Sequence, residues 1–237
     1  MYQGLDHFKN CFQYKYTGKN DEAIFIFHGF PSQKNRNKDI AHALGTKTPY
    51  NILVHHYEGL GESLGKFNFI KSLTNAEKFV AHHLKLGNYK KIHFVGHSWG
   101  GFISLNLLRK FNKQTARLVL LSPFNQIPKN KNLNQFIDAL FTEYPHCFYE
   151  TNKKQILKDF QFIQDKYDLV AFFKNKPISQ KIKILQAKND LAVPEVTTKS
   201  LLPYLGSHVT YTELELDHSF TMNRAETIKS ILKFFSN

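Results

Sequence analysis

The stretch IHFVGHSWGGFISLNLL, residues 92–108, falls into three parts. Residues 92–95 are a short apolar run. Gly96-His97-Ser98-Trp99-Gly100 places a glycine two positions before and two positions after a serine. From Gly101 onward the apolar residues recur at helical spacing. Strand, turn and helix in that order are the setting of a G-x-S-x-G elbow, where the serine takes a strained backbone position and its oxygen stands clear of the sheet. The glycines let neighbouring backbone approach without a side chain in the way. The turn also aims backbone N–H groups at the start of the helix, where negative charge is favoured. Ser98 is therefore the candidate nucleophile.

Outward from the elbow, further short apolar runs occupy residues 22–27 (EAIFIF), 51–57 (NILVHHY), 117–122 (RLVLLS) and 182–187 (IKILQA). Several are nearly continuous rather than alternating, as strands covered on both faces of a parallel sheet require. Helical spacing lies between them at about 36–45, 72–86, 99–111 and 195–204. The alternation predicts an α/β fold, a single domain with right-handed crossovers. Residues 208–215 predict another strand and 221–235 a closing helix. An early strand at 11–17 (CFQYKYT) is expected to pair at the sheet edge through a hairpin at GKND.

Residues 125–178 break the pattern. Leu133, Phe136, Ile137 and Leu140, then Ile156, Leu157, Phe160 and Ile163, recur at helical spacing. Two or three helices inserted between core strands are expected, too small in apolar area to fold alone and so a lid or cap.

The formal charge is +13 and the composition includes 22 phenylalanines. The lysines are scattered among asparagines (SQKNRNK, PKNKNLN, ETNKKQ, KNKP), and arginine occurs only at Arg36, Arg109, Arg117 and Arg224. That pattern argues for a solvated surface and against a nucleic-acid footprint. Cys11 and Cys147 form neither a metal spacing nor a disulfide framework. No apolar run approaches a membrane span and the first residues lack an apolar signal core, so a cytoplasmic setting without membrane insertion is expected.

Four further segments carry a resemblance. FIFHGF (25–30) looks like a strand ending in an His-Gly oxyanion segment, and VHHYEGLGESLGKF (54–67) is similar to a loop that usually reads D-x-x-G-x-G-x-S. LQAKNDLAVP (185–194) resembles a strand-to-loop segment carrying an acid, and LDHSF (216–220) a loop carrying a histidine. With the elbow, these resemble the α/β-hydrolase superfamily, in particular small carboxylesterases and serine-peptidase-like hydrolases of feruloyl-esterase type. The resemblance implies a mostly parallel central sheet of about seven to eight strands flanked by helices, with a small helical cap. It also implies Ser98, Asp190 and His218 as nucleophile, acid and base, in the chain order of that fold. The backbone N–H groups of Phe30 and Trp99 are then the expected oxyanion hole. Tyr57-Glu58 stand where Asp and Arg are common, so the salt bridge usual in that loop is not implied here.

Each role has rivals. Asp165 and Asp168 lie in the insertion, and Asp217 adjoins the histidine. The adjacent pairs His55-His56 and His82-His83 point in divergent directions, and His93 and His97 are separated by a strand and a turn. His28 is expected to brace its loop rather than transfer protons. No metal and no cofactor is expected.

The chemistry expected is cleavage of a small-molecule acyl ester by a serine nucleophile through an acyl-enzyme. A thioesterase, an acyltransferase or a small-substrate peptidase would use the same residues, and a ligand-binding protein without turnover is the alternative from another class. Phe30, Trp99, Phe136, Phe141 and Phe148 are the expected pocket residues, with Tyr144 and Tyr149 also over it. The protein is expected to be a monomer or homodimer.

Overall fold

The computed structural model describes residues 2–8, 10–32, 37–148, 151–176 and 178–236. The strands are β1 Tyr2–Phe8, β2 Cys11–Tyr16, β3 Glu22–Phe27, β4 Asn51–His55, β5 Lys91–His97, β6 Thr115–Leu121, β7 Lys181–Ala187 and β8 Val209–Leu214. They form one eight-stranded sheet in the order β1-β2-β4-β3-β5-β6-β7-β8. Pairing is parallel from β4 across to β8, and β1 and β2 add an antiparallel edge. The α-helices are α1 Lys38–Lys47, α2 Phe69–Gly87, α3 Trp99–Lys110, α4 Lys131–Glu143, α5 Lys153–Lys166, α6 Leu169–Lys174, α7 Glu195–Leu201 and α8 Arg224–Ser236.

The uninterrupted apolar runs are explained by burial on both faces. In β3, Phe25 and Phe27 pack in one core cluster with Phe79 of α2 and Leu105 of α3. Ile24 and Ile26 pack in the other with Ile40 of α1 and Ile231 of α8. Each such side chain contributes about 1.5–3 kcal/mol when fully buried. The two clusters clamp β5 and β6 at the centre of the sheet and fix the height of the elbow at the end of β5.

One expectation is corrected. β2 does not form a hairpin with β3. It pairs with β4, Tyr14 opposite Val54, while β3 lies on the other side of β4. The connection is tied to the start of β4 instead: Lys19 N–H donates to Pro49 O at 2.8 Å, and Gly18 N–H to Asn51 Oδ1 at 3.1 Å. A Cβ on Gly18 would overlap the Pro49–Tyr50 backbone. The glycine serves a close crossing of two backbones and not a hairpin turn.

The asparagines have local work to do. Asn37, Asn88, Asn130, Asn189 and Asn223 all take positive φ, which asparagine tolerates better than most residues. Asn68 and Asn152 cap α2 and α5 by accepting the N–H of Lys71 at 2.8 Å and of Gln155 at 2.9 Å. Helices α4, α5 and α6 stand between β6 and β7. Leu133, Ile137, Phe160 and Ile163 from them share the cluster that holds Phe69 and Trp99. Asn68 Nδ2 also donates to the buried Asp159 of α5 at 2.5 Å. The insertion is thereby fastened to the N-terminus of α2, beside the elbow.

Candidate active site

Ser98 sits between β5 and α3 with φ +52° and ψ −118°. That conformation costs on the order of 1–3 kcal/mol and persists only where its surroundings dictate it. Ser98 N–H donates to Leu121 O at 2.9 Å, and its own carbonyl accepts from Gly101 N–H at 2.8 Å and Phe124 N–H at 2.9 Å. A Cβ on Gly100 would strike the Phe27 carbonyl, and one on Gly96 would strike Gly100 and Ser104. Trp99 opens α3, so its N–H has no partner four residues back within the helix.

Asp190 and His218 meet. His218 Nδ1 donates to Asp190 Oδ2 at 2.6 Å, while Oδ1 accepts the N–H groups of Ala192 at 3.0 Å and Val193 at 2.8 Å. Burial works to raise the Asp190 pKa, but the bond to His218, its charge, the Val193 N–H and the Ser122 hydroxyl hold the carboxyl below its ordinary value. Ser122 is an additional contributor at the end of β6. Its Oγ accepts Ala187 N–H at 3.0 Å and so ties the acid's strand to the neighbouring one. Asp165, Asp168 and Asp217 do not share this environment: Asp168 caps α6 through Ala171 N–H at 3.0 Å, and Asp217 binds Thr221 and Met222 within its own loop.

His28 has both ring nitrogens engaged. Nδ1 donates to Gly29 O at 2.7 Å, and Nε2 accepts Tyr57 N–H at 3.3 Å. Tyr57 Oη–H returns a bond to His28 O at 2.7 Å. These bonds hold the loop that presents Phe30 beside the elbow, where a Cβ on Gly29 would lie 3.0 Å from Ser98 Cβ. In the same loop region, Glu58 pairs ionically with Lys71 at 3.7 Å and accepts a hydrogen bond from Asn75 Nδ2 at 3.4 Å.

A cavity of about 370 Å³ opens over Ser98 and His218. Phe30, Trp99 and Phe136 line it, and so does Tyr144. Phe141 and Phe148 do not; they stack on each other at 4.8 Å, with Phe148 5.5 Å from Phe30 on its far side. Tyr149 lies outside the described residues. Phe69, Phe124 and Phe160 complete the wall. Phe69–Trp99–Phe124–Phe136–Phe160 is a closed circuit of ring contacts, with centroids 5.0, 5.7, 6.0 and 5.6 Å apart and the last pair, Phe160–Phe69, at 4.6 Å. The Trp99 indole N–H is satisfied by Ser72 Oγ at 2.9 Å. Glu143 is the one acidic side chain among the described lining residues. Phe124 and Ser122 follow β6 directly, and the rule that ligands meet the carboxyl ends of parallel strands is the signal that points to them.

Residues 18–201 match the Hydrolase_4 family, serine aminopeptidase S33. A putative esterase/lipase 2 of Mycoplasma pneumoniae is 28% identical over 168 residues, covering 71% of this chain and 59% of its own length. Among solved structures, Est1E of Butyrivibrio proteoclasticus with ferulic acid bound has a TM-score of 0.72 at 17% identity, over 99% of this chain and 97% of its own. A Paleococcus ferrophilus monoacylglycerol lipase has a TM-score of 0.71 at 15% identity, over 95% and 98%. At such identities the structural likeness speaks for the fold alone, which is that of the α/β-hydrolases. The chain belongs to the serine aminopeptidase S33 family of α/β-hydrolases.

Proposed function

We propose that the protein hydrolyses carboxylic esters, with Ser98, His218 and Asp190 as the catalytic triad. Ser98 Oγ attacks the ester carbonyl and His218 Nε2 takes its proton. Asp190 holds His218 Nδ1–H and stabilises the imidazolium. The N–H groups of Phe30 and Trp99 receive the oxyanion. Collapse of the tetrahedral intermediate breaks the ester C–O bond, and the departing alkoxide takes the proton from His218. Water then attacks the acyl carbonyl while His218 takes its proton, and as the bond from the acyl carbon to Ser98 Oγ breaks His218 returns that proton to Ser98, releasing the carboxylic acid.

The observation that carries this reading is the 2.6 Å Asp190–His218 bond behind a cavity that Ser98 and His218 share. The aromatic wall suits an apolar acyl group, as does the esterase/lipase description of the 28% identical relative. A second reading has one observation in its favour. Glu143 on the wall suits a substrate bearing an ammonium group, in keeping with the aminopeptidase description of the family.

A panel of p-nitrophenyl esters, acyl-CoA thioesters and aminoacyl p-nitroanilides tests the assignment on wild type and Ser98→Ala. Fastest turnover of the neutral esters, abolished in the variant, is expected. Faster turnover of the aminoacyl amides would favour the second reading. Ester turnover that survives in Ser98→Ala would defeat both.

A further inference from the structure

β5, which ends at the elbow, and β8, which leads to His218, are separated by β6 and β7. At about 4.8 Å per strand spacing, the base has to be carried back roughly 14 Å across the sheet. Asp190 fixes its ring at one nitrogen. A single ring bond to an acid leaves the position of the loop's main chain undetermined.

The main chain is held from the nucleophile's side. His97 Nε2 lies 2.7 Å from the carbonyl oxygen of His218. A carbonyl only accepts, so that nitrogen of His97 carries the hydrogen. His97 is buried, its ring is 5.0 Å from the His218 ring, and it meets Phe220 edge-on at 5.9 Å. Phe220 is itself fully buried with φ +56°, and its N–H donates to Asp217 O at 2.9 Å. The loop thus turns sharply on two anchors, Phe220 in the core and the His97 bond. Since His97 immediately precedes Ser98, the base is joined to the nucleophile by one peptide link and one hydrogen bond. The alternative path runs through three strand pairings.

We propose that His97 is a positioning residue: its Nε2–H sets the distance and direction of His218 relative to Ser98 by holding the base's main chain. The proposal rests on the reading of His218 as the base for Ser98. Losing the bond leaves the Asp190–His218 pair intact but widens the spread of Ser98–His218 separations, and misplacement by about 1 Å costs on the order of 100-fold in rate.

His97→Phe keeps an aromatic ring and removes the donor, and His97→Gln keeps an N–H at comparable reach. The readouts are the rate of Ser98 labelling by a fluorophosphonate, kcat and KM on a p-nitrophenyl ester, and the melting temperature. His97→Phe is expected to lower the labelling rate and kcat by about tenfold or more, with KM little changed, and His97→Gln to recover most of both. A role confined to stability would move the melting temperature and leave the labelling rate per folded molecule at the wild-type value. Should His97→Phe fail to fold, His97→Met set against His97→Gln makes the same comparison at matched length. Equal labelling by donor and non-donor variants overturns the positioning role. Absence of labelling in wild type overturns instead the reading of the site on which it rests.

Discussion

His218 Nδ1 and Asp190 Oδ2 are 2.6 Å apart, and the carboxylate that accepts this bond is completely covered while the imidazole is 23% exposed. The pair therefore presents one rigid, buried end and one end open to the cavity. Asp190→Asn keeps the shape but turns an acceptor into a donor, which forces the His218 hydrogen onto Nε2, the nitrogen proposed above to receive the serine proton. A fall in kcat of about 10³–10⁴-fold is expected, with the protein still folded. Steady-state turnover of a p-nitrophenyl ester, with circular dichroism as the control for folding, checks it.

Gly100 and Gly29 separate stability from activity. A Cβ on Gly100 meets the Phe27 backbone, which has no side-chain freedom with which to yield. Gly100→Ala is expected to destabilise by about 2–4 kcal/mol. A Cβ on Gly29 meets Ser98 Cβ at 3.0 Å and His97 Nδ1 at 3.1 Å. Gly29→Ala is expected to cost less stability and more turnover, because the displaced groups are those of the site. Urea denaturation and kcat, measured on both variants, give the two orderings.

His55 and His56 make stability depend on pH. Both are buried, and neither ring has a hydrogen-bond partner among the described residues. Burial, with the neighbouring His56 and His83 adding to it, pushes His55 down to about 3, and burial pushes His56 down to about 4. In the unfolded chain both return to about 6.5. Below that pH the unfolded state binds protons that the folded state refuses. The stabilisation is complete above about pH 6.5 and is lost as the pH falls towards 4 and then 3, by up to about 1.4 kcal/mol per pH unit for each histidine. The melting temperature is expected to drop between pH 6.5 and 4.5. His55→Phe, which retains stacking on Phe79, is expected to drop less. Parallel melting curves for the two proteins across that range would rule out the histidine as a cause.

Phe136 lines the cavity and Phe141 does not. Phe136→Ala is expected to shift the preferred acyl group towards longer or bulkier chains, and Phe141→Ala to leave the profile where it is. Both are expected to preserve fluorophosphonate labelling of Ser98. An ester chain-length series on the two variants distinguishes the wall from the layer behind it.

The strands β3 to β7 were legible because burial on both faces leaves nearly uninterrupted apolar runs, as in EAIFIF, and β8, at the sheet edge, because HVTYTELE alternates instead. The elbow was legible because its glycines answer to local sterics, and the pairing of Asp190 with His218 because both stand in loops just beyond parallel strands. β1 escaped notice since YQGLDHF lies at an edge and its polar residues break the apolar signal. Gly18 misled because a turn glycine and a crossing glycine look alike until the partner backbone, at Pro49, is known. Phe69 and Phe160 could not be chosen over Phe141, because helical spacing gives a face but not the direction in which that face docks, whereas Phe124 was open to the strand-end rule. The bond from His97 reaches a carbonyl 121 residues away, and no local pattern encodes it.

The central claim is that Ser98 is an activated nucleophile. The most direct measurement is labelling of the purified protein with a fluorophosphonate, followed by mass-spectrometric location of the adduct. The expected result is a single adduct on Ser98 in wild type and none in Ser98→Ala. Equal labelling of both proteins, or an adduct on another residue, would contradict it.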